Sequence, residues 1–175
     1  MEFGWCFYTL LLTGLAMLVY SDLRRQRLPN LMTMPLLLAG LLMNLVRAGW
    51  LGAMGEPGRY FGWTGVASGL LEGFCFSLAG FFIAFILFTS LWQFQTCGAG
   101  DVKLMAALGA WVGPLWFFFV FLGSMLAVVA LMMIWWITAF TIRRNPGLKL
   151  SYALPAMISS ALVLLWVWRK ELLQH

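Results

Sequence analysis

The sequence predicts an all-α, polytopic membrane protein of about six transmembrane helices, the fourth of them short. Three observations predict it. First, 63% of the 175 residues are hydrophobic and only 10% are charged, against about 45–50% apolar and about 25% charged in soluble domains. A soluble globule of this size cannot hide that much apolar surface. Second, the apolar residues are grouped in runs of about 20, the length that crosses ~30 Å of hydrocarbon. Third, Lys and Arg are shared unevenly between alternate loops, the usual mark of a fixed membrane orientation. A single membrane domain over residues 1–175 is expected, with no separate soluble domain.

The first run, residues 3–20, carries no charge. Glu2 stands where a signal peptide has basic residues, and Ser21-Asp22 followed by arginines is no small-residue cleavage site, so the run reads as a retained helix. The second, 31–51, contains Pro35, Asn44 and Arg47, and a loop with Gly and Pro follows it over 52–63. The third covers 66–93, and a break over 98–103 separates it from the fourth. The fourth meets Gly113-Pro114, a strong turn signal. A fifth covers 115–142 and a sixth 152–168. Residues 98–112 make only about 22 Å of helix at 1.5 Å each. Either Gly113-Pro114 turns below the outer surface, or Gly98–Lys103 dips below the inner one. The expectation taken here is the second, with Asp101 inside the depth of the membrane.

Six crossings put Arg24, Arg25, Arg27, Lys103, Arg143, Arg144 and Lys149 on one side and Arg47, Arg59, Arg169 and Lys170 on the other. The richer side is expected to be cytoplasmic, with both termini outside. Trp5, Trp50, Trp63, Trp111, Trp116, Trp166 and Trp168 then fall near the outer boundary, as an aromatic belt does.

Several chemistries are excluded. Cys6, Cys75 and Cys97 form no CxxC pair, so neither a disulfide framework nor a zinc site is expected. The lone histidine, His175, is the last residue, which disfavours triad and His-metal catalysis. No metal and no cofactor are expected. The 11 basic and 6 acidic residues give +5, which reads as basic membrane loops facing lipid headgroups. No basic–aromatic platform for nucleic acid is present.

Two acids remain on the cytoplasmic side, Asp22 after the first helix and Asp101 at the start of the fourth. Glu2, Glu56, Glu72 and Glu171 belong to the outer half. Two carboxylates at one depth can share a water and a proton, one as base and the other as acid. That is aspartic-protease chemistry. The plainer readings are a solvated Asp22 and an Asp101 that caps a helix. A carboxylate at a helix C-terminus opposes the macrodipole, however, so Asp22 is not placed for stability. In Gly98-Ala99-Gly100-Asp101 the missing side chains allow φ > 0 and the approach of another backbone, such as an extended substrate. The plainer reading of that run is a helix-breaking turn.

Gly98-Ala99-Gly100-Asp101-Val102-Lys103 resembles the GxGD-V-K signature of type IV prepilin peptidases. Asp22-Leu23-Arg24-Arg25-Gln26-Arg27-Leu28-Pro29-Asn30 resembles the family's first aspartate segment, and residues 149–155, KLSYALP, resemble its late K-x-PYAP segment with Ser151 in place of Pro. The resemblance implies catalytic Asp22 and Asp101. It also implies an aspartyl endopeptidase of the bacterial inner membrane, acting at the cytoplasmic boundary on the short basic leader of prepilins or pseudopilins. Larger members carry an insertion with paired CxxC cysteines, and many N-methylate the new terminus. This chain has neither the insertion nor the cysteine pairs and looks like the short tight-adherence (Flp) pilus type, so methylation is not expected.

Supporting roles fall to Gly98, Gly100, Lys103, Pro29, Asn30, Tyr152 and Pro155. Lys103 either tunes Asp101 or snorkels to headgroups. Pro29 and Asn30 shape the start of the second helix. Tyr152 reaches toward the site from the sixth, and Pro155 sits in its first turn. Glu72 reads as a structural hydrogen-bonding group, with Gly69, Gly73 and Gly80 marking close helix packing. The alternatives are a small proton- or ion-coupled transporter using the same carboxylates, and a non-catalytic assembly factor. Oligomeric state is not legible.

Overall fold

The computed structural model describes residues 2–25, 30–58, 61–62, 64–95, 97–142, 158 and 161, with the backbone alone at 2–6, 8, 22–25, 30–31, 131, 135 and 138–142. The described elements are α1 (Glu2–Arg25), α2 (Asn30–Ala53), α3 (Val66–Gln93) and α4 (Ala99–Ile142). No strand occurs among the described residues. Three helical stretches are long and apolar enough to cross a membrane, Met32–Ala53, Val66–Gln93 and Ala99–Ile134, and α1 contains a shorter apolar one, Thr9–Ser21. Leu38, Leu42, Phe82, Ile86, Phe118 and Leu122 all point outward and are each about half exposed. An outer surface this apolar suits lipid rather than water. The protein is an all-α polytopic membrane protein. Most of the expected sixth helix, 152–168, lies outside the described residues.

Between helices in lipid there is little hydrophobic drive, so contact depends on close packing and interhelical hydrogen bonds. Here glycine supplies the packing. A Cβ on Gly69 would meet the Ala48 carbonyl, and one on Gly73 the Asn44 carbonyl at 2.5 Å. Gly80 and Gly109 face each other so closely that a Cβ on either would strike the other's carbonyl oxygen. These contacts bear out the packing role expected of Gly69, Gly73 and Gly80. They also fix direction, because α2 and α3 run antiparallel, as do α3 and the first part of α4.

The α4 helix is not one rod. Gly113 has φ 79° and ψ 174°, and Pro114 follows it. Before the break, Gly109 lies on Gly80, and Gly113 lies against Phe76. After it, Phe117 and Phe121 pack on Phe88, with ring centroids 6.5 and 5.7 Å apart. A straight continuation would carry Phe121 away from Phe88. The chain therefore turns back at Gly113, and the stretch that carries Phe117 and Phe121 runs alongside α3 toward its C-terminal end.

This turn is buried within the bundle, at the level of Phe76 and Gly80, about 15–21 Å along α3 from its start at 1.5 Å per residue. An interior turn at Gly113-Pro114 is the first of the two explanations offered for the short fourth helix. The physical requirement is met by side chains. The Ala110 carbonyl would normally pair with residue 114, a proline without N–H, and the Trp111 carbonyl with residue 115, beyond the break. Asn44 Nδ2 donates to both, at 2.8 and 3.1 Å, and Ser77 Oγ donates to Ala110 O at 2.6 Å.

Two further expectations are corrected. Trp111 belongs to no outer belt. It is 1% exposed, its Nε1 donates to Leu36 O at 2.6 Å, and Phe7 packs edge-on against it at 4.9 Å. The interior turn carries it down with residue 113. In addition, α1 does not stop before Asp22 but continues through Arg25. The charges end the apolar run, yet arginine is a good helix former and favours a helix C-terminus.

Candidate active site at the α3–α4 corner

The corner begins where α3 stops. Phe94 caps it, and Gln95 takes a left-handed φ of 57°, its N–H donating to Trp92 O at 2.9 Å. Four residues later α4 starts. Asp101 and Val102 N–H groups donate to Gly98 O at 3.0 and 3.3 Å, which makes Gly98 the N-cap and Asp101 the third helical residue. The plainer reading of Asp101 as a helix cap thus holds only in part, because it stands at the third helical position and not at the cap itself. Its Oδ2 reaches back and accepts the Gly98 N–H at 2.9 Å, the returning arm of a capping box. The carboxylate also sits where the helix macrodipole favours negative charge.

Gly98 and Gly100 are not among the residues with positive φ. Their value here is small size and access rather than backbone freedom. Gly98 is exposed, and Gly100 and Asp101 are half-buried, so the carboxylate stands on an open edge. Lys103 is exposed. Two residues on, it lies about 200° around the helix from Asp101, on the far side.

Cys97 joins this corner to α3. Its S–H donates to Phe88 O at 3.6 Å. Burial, and after it the charge of Asp101, push the thiol above its ordinary pKa. With no CxxC pair, the sequence offers no reason to single out any of the three cysteines. The only available signal was that Cys97 directly precedes the GAGD run.

Asp22 lies in the last turn of α1, where the backbone alone is described. Its position follows from the packing above it. Phe7, Leu11, Leu15 and Leu18 form the buried stripe of α1, and position 22 extends that stripe by one turn. Phe7 packs on Trp111 and Gly14 meets Leu36, so α1 descends toward the corner end as its numbering rises. From that Phe7–Trp111 contact, Asp22 is 15 residues along α1 and Asp101 is 10 back along α4, about 22 and about 15 Å at 1.5 Å per residue. The two backbone positions therefore share one end of the bundle.

Glu72 does not join them. It is 8% exposed and lies 16 residues before Phe88 on α3, about 24 Å from the corner. Pro29, the Asn30 side chain, Tyr152 and Pro155 lie outside the described residues. No group of three or more potential metal ligands occurs among the described residues.

With this geometry in hand, relatives are informative. The type IV leader peptidase family matches residues 9–134, a stretch containing both aspartates. A prepilin leader peptidase/N-methyltransferase of Aeromonas salmonicida (strain A449) is 38% identical over 112 residues, 63% of this chain and 33% of that protein. One of Neisseria gonorrhoeae is 30% identical over 137 residues, 74% of this chain and 42% of that protein, and one of Legionella pneumophila 35% over 100, covering 55% and 28%. The matched part thus spans about a third of the length of these curated relatives. No solved structure matches. The family match covers well over half of the residues and includes every helix that builds the corner, so the chain belongs to the type IV leader peptidase family.

Proposed function

We propose that the protein is an aspartyl endopeptidase that removes the short basic leader from type IV prepilins or pseudopilins. It works at the cytoplasmic face of the bacterial inner membrane, with both termini outside, and Asp22 and Asp101 are its catalytic pair. One observation carries the reading: an accessible carboxylate at the start of α4 stands at the same end of the bundle as position 22 of α1. In the proposed reaction one carboxylate takes a proton from a water. The hydroxide adds to the scissile carbonyl, and the C–N bond breaks as the protonated partner gives its proton to the departing amine. No metal or cofactor enters. The exposed Gly98–Gly100 edge receives the extended peptide, and the seven-base face holds the site near anionic lipid. The proposal covers cleavage and not N-methylation, and it places the chain in the short tight-adherence pilus type.

The test is direct. The full chain in detergent is mixed with a prepilin-like substrate, and a shortened product is expected. Asp22→Asn and Asp101→Asn, tested separately, should each lower kcat by at least about 10³-fold while thermal unfolding stays close to that of the parent. Cleavage that survives either substitution overturns the dyad. Ion flux without any cleavage points to a transporter instead.

A further inference from the structure

The link that carries the chain from α3 into α4 has little to hold it in place. From 92 to 99, Cys97 alone among the described residues is not exposed, and it packs against the buried core. Its neighbours supply no such anchorage. Gln95 turns through the left-handed region and is exposed, and Gly98 has no side chain. Side-chain anchorage of the link therefore falls to Cys97.

The group that Cys97 holds is itself fixed. Its S–H donates to Phe88 O. A thiol is a weak donor, but the Phe88 ring is fully buried, and Phe117 and Phe121 meet it edge-on from the second part of α4. Rings interlocked in this way leave the residue little room to move. Phe88 lies eight residues beyond Gly80, and Asp101 lies eight before Gly109, which Gly80 touches. With α3 and the first part of α4 antiparallel, Phe88 and Asp101 stand at the same level. The residue after Cys97 is Gly98, whose N–H is bonded to Asp101 Oδ2. One path thus runs from the clamped Phe88 carbonyl through the Cys97 thiol and the Gly98 amide to the Asp101 carboxylate. The thiol feels the charge at the far end of that path.

We propose that Cys97 is a positioning residue for the cleavage reaction, one that fastens the Gly98 amide, and through it the Asp101 carboxylate, at a set place against α3. A reacting group displaced by about 1 Å can cost much of the rate, and the glycines on either side of Ala99 give the backbone there little stiffness of its own. Cys97 acts through Asp101 and not on the peptide. This inference rests on the peptidase reading and adds a residue to it.

The experiment uses the full chain in detergent and a synthetic peptide with a basic leader followed by an apolar segment. Cys97→Ala removes the donor, and Cys97→Ser keeps one at similar size. The Ala variant should lower kcat about fivefold with KM little changed, and Ser should restore most of kcat. Backbone hydrogen exchange over residues 97–103, followed by mass spectrometry with no substrate present, should be faster in the Ala variant than in the parent and near parental with Ser. Thermal unfolding of both variants should stay close to that of the parent. An Ala variant with parental kcat overturns the proposal. So does a deficit that Ser leaves in place, that appears in KM alone, or that tracks a loss of thermal stability. If the parent cleaves nothing, the peptidase reading fails. Faster exchange in the Ala variant then still upholds the fastening of Asp101 by Cys97, and unchanged exchange removes it.

Discussion

At the scale of single residues, Asp101 has two tasks on one carboxylate. Oδ2 ties the Gly98 amide and so shapes the start of α4, and the charge reaches Cys97. That coupling can be read without a substrate. Thiolate is the reactive form of cysteine, so a raised pKa means slow alkylation near neutral pH and a rate that climbs only at higher pH. In a chain with Cys6 and Cys75 changed to Ser, Asp101→Asn removes the smaller of the two causes. The rate–pH profile of Cys97 with a small maleimide should then move to lower pH, while burial keeps it above that of a free thiol. Asparagine can still accept the Gly98 N–H, so the helix start is preserved. An unchanged profile would contradict the electrostatic influence of the carboxylate on the thiol.

At the scale of elements, the feature that needs most support is the turn inside α4. Backbone polar groups in hydrocarbon must be satisfied by protein, and a Gly113-Pro114 break frees the carbonyls of Ala110 and Trp111. Asn44 and Ser77 reach them from two other helices. The arrangement predicts an unequal, coupled pair of losses. Ser77→Ala leaves Ala110 O still bonded to Asn44 and should cost about 1 kcal/mol. Asn44→Leu strands Trp111 O and also crowds the helix contact, and should cost about 2–3 kcal/mol. Because both side chains serve Ala110 O, the double variant should lose more than the sum. Thermal unfolding in detergent measures all three, and simple additivity would mean that the shared carbonyl carries no coupling.

At the scale of the whole molecule, the glycine contacts and the reversal at Gly113 make a topological statement. The α2–α3 connection lies at one end of the bundle and the α3–α4 corner at the other. In a cysteine-free chain in sealed vesicles, single cysteines at Met54 and Gln95 should label with a membrane-impermeant maleimide from opposite sides. The corner position should label from the cytoplasmic side, in keeping with the distribution of Lys and Arg. Labelling of both from one side would refute the hairpin across the membrane.

Composition and run length were enough to read the all-α membrane fold, the bounds of α3 and the turn at Gly113-Pro114, because lipid requires apolar length and proline cannot continue the hydrogen-bond ladder. The GAGD run and the D…LPN segment likewise pointed to Asp101 and Asp22, since a carboxylate in an apolar chain is rare enough to stand out. Other features depended on partners distant in sequence. The depth of the turn came from Phe76 and Gly80, the inward place of Trp111 from Leu36 O, and the satisfaction of the broken ladder from Asn44 and Ser77. The capping-box role of Asp101 belongs to the same class. Each is a hydrogen bond or close contact, present or absent, and no residue pattern along one chain records which distant atoms will come within 3 Å.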